Sequence, residues 1–169
     1  MDAHSKDANS NGLDHRRTAC SIAATLDFVG EKWTLLVLRE AFFGVRRFDD
    51  ILAALGCARN VLSARLATLV EAEILVRVPY REAGSRPRYE YALSPKGREL
   101  YPILLALMQW GDAWCQPAGT RPVIVRHVDC GSEVRAEIRC ALGHGPLPPR
   151  ETSARSASAL TFDRSGSGE

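Results

Sequence analysis

Between Arg46 and Arg98 the chain carries ten Lys or Arg, at positions 46, 47, 59, 65, 77, 81, 86, 88, 96 and 98, against six acids at 49, 50, 71, 73, 82 and 90. The stretch is net +4, whereas the whole chain of 169 residues is only +2. Nine of the ten are Arg, whose planar guanidinium grips phosphate and guanine through paired hydrogen bonds. Charge distributed in this way favours nucleic acid as a partner.

A second set of reactive residues lies toward the C-terminus. His127 and Cys130, then Cys140 and His144, offer two imidazoles and two thiols, the ligand types of a tetrahedral zinc site. Only nine residues separate Cys130 from Cys140, and Gly143 stands where a Cys-x-x-Cys pair would place its second thiol. A β-hairpin with incidental cysteines is the alternative reading. Cys20 is a third candidate: it precedes an apolar-periodic segment, where helix N–H groups would lower a thiol pKa. A small thiol packed at a helix start explains it equally well. The five cysteines are odd in number and irregularly spaced, which argues for reduced thiols in an intracellular protein. No signal-peptide pattern opens the chain, and no run of about 18 apolar residues occurs, so a cytoplasmic protein without a membrane partner is expected.

Elements must position these residues. Residues 1–16 are polar and aperiodic and read as a flexible arm. Ile22, Leu26 and Val29, then Trp33, Leu36 and Val37, predict two helices joined near Gly30. Phe48 to Leu55 is a short helix with Asp49 and Asp50 in its first turn and Gly56 as its stop. Leu62, Leu66 and Leu69 stripe a further helix that follows after a tight turn, so the pair is a helix-turn-helix candidate. Leu75–Tyr80 and Arg88–Leu93 flank a Gly- and Arg-bearing tip and predict a β-hairpin. Ser94-Pro95 starts a long final helix reaching Trp114, with Trp33 and Trp110 read as core aromatics. Beyond it, 122–131 and 133–140 predict two short strands around a Cys-Gly turn, and the Pro-, Ser- and Gly-rich 145–169 predicts a disordered tail. The fold class is thus mainly α with a small β-hairpin wing (α+β), with a domain at 17–116 and a short C-terminal β-hairpin extension at 117–144.

The run CSIAATLDFVGEKWTLLVLR at 20–39, GVRRF at 44–48, LSARL at 62–66, YEYALSPKG at 89–97 and WG at 110–111 together resemble the HxlR-type winged-helix regulators of bacteria. The resemblance covers about 100 of the 169 positions, in order across five segments. It implies a homodimeric transcriptional regulator reading a short inverted repeat in double-stranded DNA, with the terminal helices of the domain pairing the subunits. Some such regulators sense electrophiles or oxidants with a cysteine at the place of Cys20, so a small-molecule or oxidant inducer is expected. Two departures stand out. Ser21 follows Cys20 where the family often has Pro. Ala58 stands where the recognition helix usually opens with Ser, which costs roughly 1 kcal/mol of capping and suggests a shifted start near Asn60.

With Leu62, Leu66 and Leu69 facing inward, Arg59, Asn60 and Ser63 face base edges, with Arg65 toward the flank. Arg65 has a second reading, an ion pair organising the turn. Arg81, Arg86 and Arg88 on the hairpin lie over the sugar-phosphate backbone or the minor groove, unless they only keep an exposed edge soluble. Arg46 and Arg47 contact phosphate, or one of them makes an intramolecular ion pair. Leu104, Leu107, Met108 and Trp114 exceed what one small domain buries and form the dimer interface. An enzyme is disfavoured: no phosphate-cradling Gly-rich loop or Gly-x-Ser-x-Gly elbow occurs, and the four histidines, at 4, 15, 127 and 144, fall outside the helical core. A winged-helix protein-interaction module is the remaining rival. It predicts no salt-dependent binding to duplexes.

Overall fold

The computed structural model describes residues 20–81 and 86–154. Cys20–Ala136 forms one unit, and the described residues from Glu137 onward belong to a second. The expected arm at 1–16 and the hairpin tip at 82–85 lie outside the described residues.

In the first unit four helices precede a hairpin: α1 (Ser21–Val29), α2 (Lys32–Phe42), α3 (Phe48–Leu55) and α4 (Arg59–Glu71), then β1 (Leu75–Tyr80) and β2 (Arg88–Leu93). Two further helices follow, α5 (Pro95–Arg98) and α6 (Tyr101–Trp114). This is the α+β winged helix expected from the sequence. Helix α2 is central and packs on α1, α3, α4, β2 and α6. Its Val37 and Leu38 meet Ile51 of α3, Leu62, Leu66 and Leu69 of α4, and Ile74 and Leu75 at the start of the hairpin. The three leucines of α4 recur every three or four residues, so one face is buried while Arg59, Asn60 and Ser63 stay exposed. One polar atom enters this core unpaired: Thr34 is fully buried, and its Oγ1 has no hydrogen-bond partner among the described residues.

The wing is an antiparallel pair with Leu75 opposite Leu93 and Tyr80 opposite Arg88. Its base is tied down by the Ser-Pro-Lys-Gly turn. Ser94 Oγ donates to the Glu73 carbonyl at 2.6 Å and accepts the Gly97 amide at 2.9 Å, capping α5. Lys96 Nζ donates to the Ala72 carbonyl at 2.8 Å. A Cβ at Gly97 would lie 2.2 Å from the Ile74 carbonyl oxygen, so only glycine permits the close approach of α5 to the hairpin.

Four expectations change. The final helix is not continuous but is divided between Arg98 and Tyr101, because Pro102 lacks the amide that would bond back one turn. The recognition helix does not shift to Asn60: α4 starts at Arg59 with Ala58 as an N-cap that makes no side-chain bond. The segment after α6 does double back, with Val134 N donating to Val125 O and His127 N to Ser132 O, but its pairing amounts to one bridge, Arg126 to Glu133. The far side of residues 134–136 is held by Gln109 of α6 instead, whose amide donates to the Val134 carbonyl at 2.9 Å and accepts the Ala136 amide at 3.0 Å. In the second unit the stretch expected to be disordered from 145 has a 3-10 turn at Pro149–Glu151; residues 155–169 lie outside the described residues.

Candidate nucleic-acid interface

The turn between α3 and α4 is short because Gly56 ends α3 in the left-handed conformation (φ 62°), its amide bonded to the Leu52 carbonyl. Upstream, Arg47 is extended and is the N-cap residue of α3. It bridges to Glu90 of β2, and the Tyr91 amide donates to the Arg46 carbonyl at 2.9 Å. Residues 46–47 therefore add a short rung to the hairpin, which brings the start of α3 beside the wing.

The result is a cleft of about 570 Å³ between the start of α3, the start of α4 and the hairpin, lined by Arg47, Phe48, Asp49, Arg59, Tyr80 and Arg88 among others. Three arginines expected at DNA, from three segments far apart in sequence, meet here. Each of two is ordered by an aromatic face: the Arg47 guanidinium lies 4.7 Å from the Tyr80 ring centre and that of Arg59 lies 5.0 Å from Phe48. Arg59 Nη2 also donates to Asp49 Oδ1 at 3.0 Å, and both side chains are about two-thirds exposed (67% and 65%). Arg59 thus already has a protein partner. Sequence reasoning placed the organising ion pair at Arg65, which is half-buried and makes no ion pair among the described residues. It missed Asp49, Tyr80 and Phe48.

The remaining residues lie outside the lining of that cleft. Asn60 and Ser63 are exposed on α4, and Arg81 and Arg86 are exposed at the two ends of the hairpin tip. Ala58 leaves the first amides of α4 without a side-chain cap, an arrangement suited to a phosphate oxygen. Arg46 pairs with Glu90 at 3.4 Å.

The surface expected to pair subunits is distributed differently from the sequence reading. Leu107 and Trp114 are exposed (49% and 76%), whereas Leu104 packs against the core and Met108 is half-buried. Trp110, expected in the core, is 60% exposed, and Ile103 also faces outward. Trp33 is half-buried with the Lys32 ammonium 5.4 Å from its ring centre. Helix α1 buries only Val29, leaving Ile22, Leu26 and Phe28 exposed.

Cys20 is half-buried at the N-cap of α1. Among the described residues no three His, Cys, Asp or Glu side chains gather as a metal-holding group. His127 instead lies 3.8 Å from Asp129, and Cys140 Sγ lies 3.5 Å from His144 Nδ1. Cys130 is exposed, and hydrogen bonds from the Ser132 side chain and then its backbone lower its thiol pKa. Among the described residues no helix is long and apolar enough to cross a membrane.

Comparison with known proteins agrees with this architecture. Residues 28–119 match the family model described as HxlR-like helix-turn-helix. An uncharacterized HTH-type transcriptional regulator of Mycobacterium tuberculosis is 44% identical over 128 residues, 76% of this chain and 80% of that protein. The crystal structure of PA1607, designated a transcription factor, superposes with a TM-score of 0.72 at 37% identity, covering 83% of this chain and 96% of that one. The reduced form of the redox regulator HypR gives 0.50 at 26% identity, over 56% of this chain and 92% of its own. The relatives are regulators and not enzymes, and with the helix-turn-helix, the wing and the match over residues 28–119 this chain belongs to the HxlR-like helix-turn-helix family of transcriptional regulators.

Proposed function

We propose that the protein acts in the cytoplasm as a homodimer that binds an inverted repeat in double-stranded DNA. The observation that carries this reading is the convergence of Arg47, Arg59 and Arg88 on one cleft beside the exposed end of α4. Arg59, Asn60 and Ser63 read base edges in the major groove, with Arg65 supporting them from the flank. Arg47, Arg81, Arg86 and Arg88 hold the sugar-phosphate backbone. Exposed Leu107, Trp110 and Trp114 on α6, with Ile22 and Leu26 on α1, are more apolar surface than a monomer keeps in water, which supports pairing through these helices. Selection of bound sequences from random duplexes should return half-sites about one helical turn apart. Affinity for them should fall steeply with salt. Binding that is insensitive to salt, or a protein that stays monomeric by light scattering at micromolar concentration, would refute the proposal.

Cys20 supplies the inducer response in this reading. Its place at the start of α1 couples it to the helix proposed to pair subunits, and HypR is a related regulator solved in reduced and oxidised forms. Mild oxidation should alter duplex affinity in the wild type and not in Cys20→Ser. Identical responses in both proteins would remove Cys20 from the mechanism.

A further inference from the structure

On the side of α2 that faces α6, a cavity of about 660 Å³ opens between these helices and the segment after α6. Its size is that of a site for a small organic ligand. The walls are apolar and aromatic, with Leu35, Phe42, Tyr101, Leu105, Met108 and Val125 among them. Phe42 and Tyr101 are in ring contact at 5.3 Å.

Three charged residues line it: Arg39, Glu40 and Asp112. The Glu40 side chain is only 9% exposed, and Arg39 spends its Nε and Nη2 on a single oxygen, Oε1. Among the described residues no hydrogen bond ends on the other oxygen, Oε2. Two nitrogens of the one cation are thus turned to Glu40, while two carboxylates line the space, one of them with an acceptor to spare. A carboxylate or phosphate ligand meets a lining of net negative charge. An ammonium meets a buried acceptor, a second carboxylate and aromatic faces that attract cations.

We propose that this cavity is a binding site for small lipophilic amines, with the ammonium on Glu40 and the apolar body between α2 and α6. Its walls include α6 and Ala54 in the last turn of α3, so an occupant touches both the surface proposed for pairing and the helix-turn-helix. Binding itself does not depend on the DNA reading and is measured without DNA.

The probes are 4-phenylbutylamine and 4-phenylbutyrate, matched in body and opposite in charge, titrated by calorimetry into the full chain. The amine should bind at least tenfold tighter than the acid, and Glu40→Gln should weaken it at least tenfold. Because Glu40→Gln also disturbs the pair with Arg39, Gly111→Leu provides a second variant. Gly111 lines the cavity on α6, and a Cβ there meets no atom within 4 Å. The leucine should fold, occupy the space and abolish amine binding. Equal affinity for amine and acid, or amine binding unchanged in Gly111→Leu, would overturn the assignment. So would the absence of amine binding together with a loss of dimer mass in Gly111→Leu, which would show that a second copy fills the cavity.

Discussion

If Arg59 reads DNA as proposed, Asp49 acts as its placeholder, and breaking that pair should strengthen binding. The two side chains are 3.0 Å apart and about two-thirds exposed, so their attraction is worth about 0.2–1 kcal/mol. In that reading DNA displaces Asp49 when Arg59 engages a base or phosphate. Asp49→Asn removes this competition and should tighten binding by about 1.4- to 5-fold at one decade per 1.4 kcal/mol. Arg59→Ala should cost about 1–3 kcal/mol, roughly 5- to 140-fold, on the selected site and far less on random duplex. The decisive measurement is the double-mutant cycle by fluorescence anisotropy. With Arg59 absent, Asp49→Asn should have little left to release. Asp49 also stands in the first turn of α3, where an acid adds about 0.3–1 kcal/mol of helix stability, so a thermal melt of each variant accompanies the cycle. Weaker binding by Asp49→Asn, or the same gain with and without Arg59, refutes the placeholder role.

Gly97→Ala should lower stability by about 1–3 kcal/mol in urea unfolding, because its Cβ meets the Ile74 carbonyl oxygen and the backbone must give way. Thr34→Val should raise stability by about 1 kcal/mol in the same assay, since it replaces an unpaired buried hydroxyl with a methyl of the same shape. Cys130 is exposed and has a lowered thiol pKa. The thiolate fraction of Cys130 thus rises at lower pH than that of an ordinary thiol, and iodoacetamide should label it ahead of an unstructured cysteine peptide near neutral pH. Ser132→Ala removes the largest cause and should narrow that lead, as read by peptide mass mapping over a pH series.

The helices and the wing were legible because each carries two agreeing signals. For α4 these are the leucine stripe and Gly56 before it; for α5, Ser94 followed by Pro95. The face of α6 was not legible, since Ile103, Leu104, Leu105, Leu107, Met108 and Trp110 surround most of the helix and no period distinguishes the core side from the exposed side. The strands expected after α6 failed for a related reason: Val-rich alternation predicts strand, but here the edge is satisfied by a glutamine side chain from a helix, which no local pattern announces. At the interface, charge alone found the arginines. Their arrangement depends on partners ten residues away, as with Asp49 and Arg59, or across the hairpin, as with Arg47 and Tyr80, and those require the turn at Gly56 and the rung at 46–47.

Gln109 also has a bearing on how the cavity over α2 and α6 is closed. The segment it fastens to α6, through Val134 and Ala136, lies beyond residue 119, where the match to the family model ends. Val123 and Val125, which precede the fastened stretch, close one side of the cavity over α2 and α6. The chamber therefore takes one wall from beyond the matched residues, and that wall stays in place because a side-chain amide on the last helix stitches the returning chain to it.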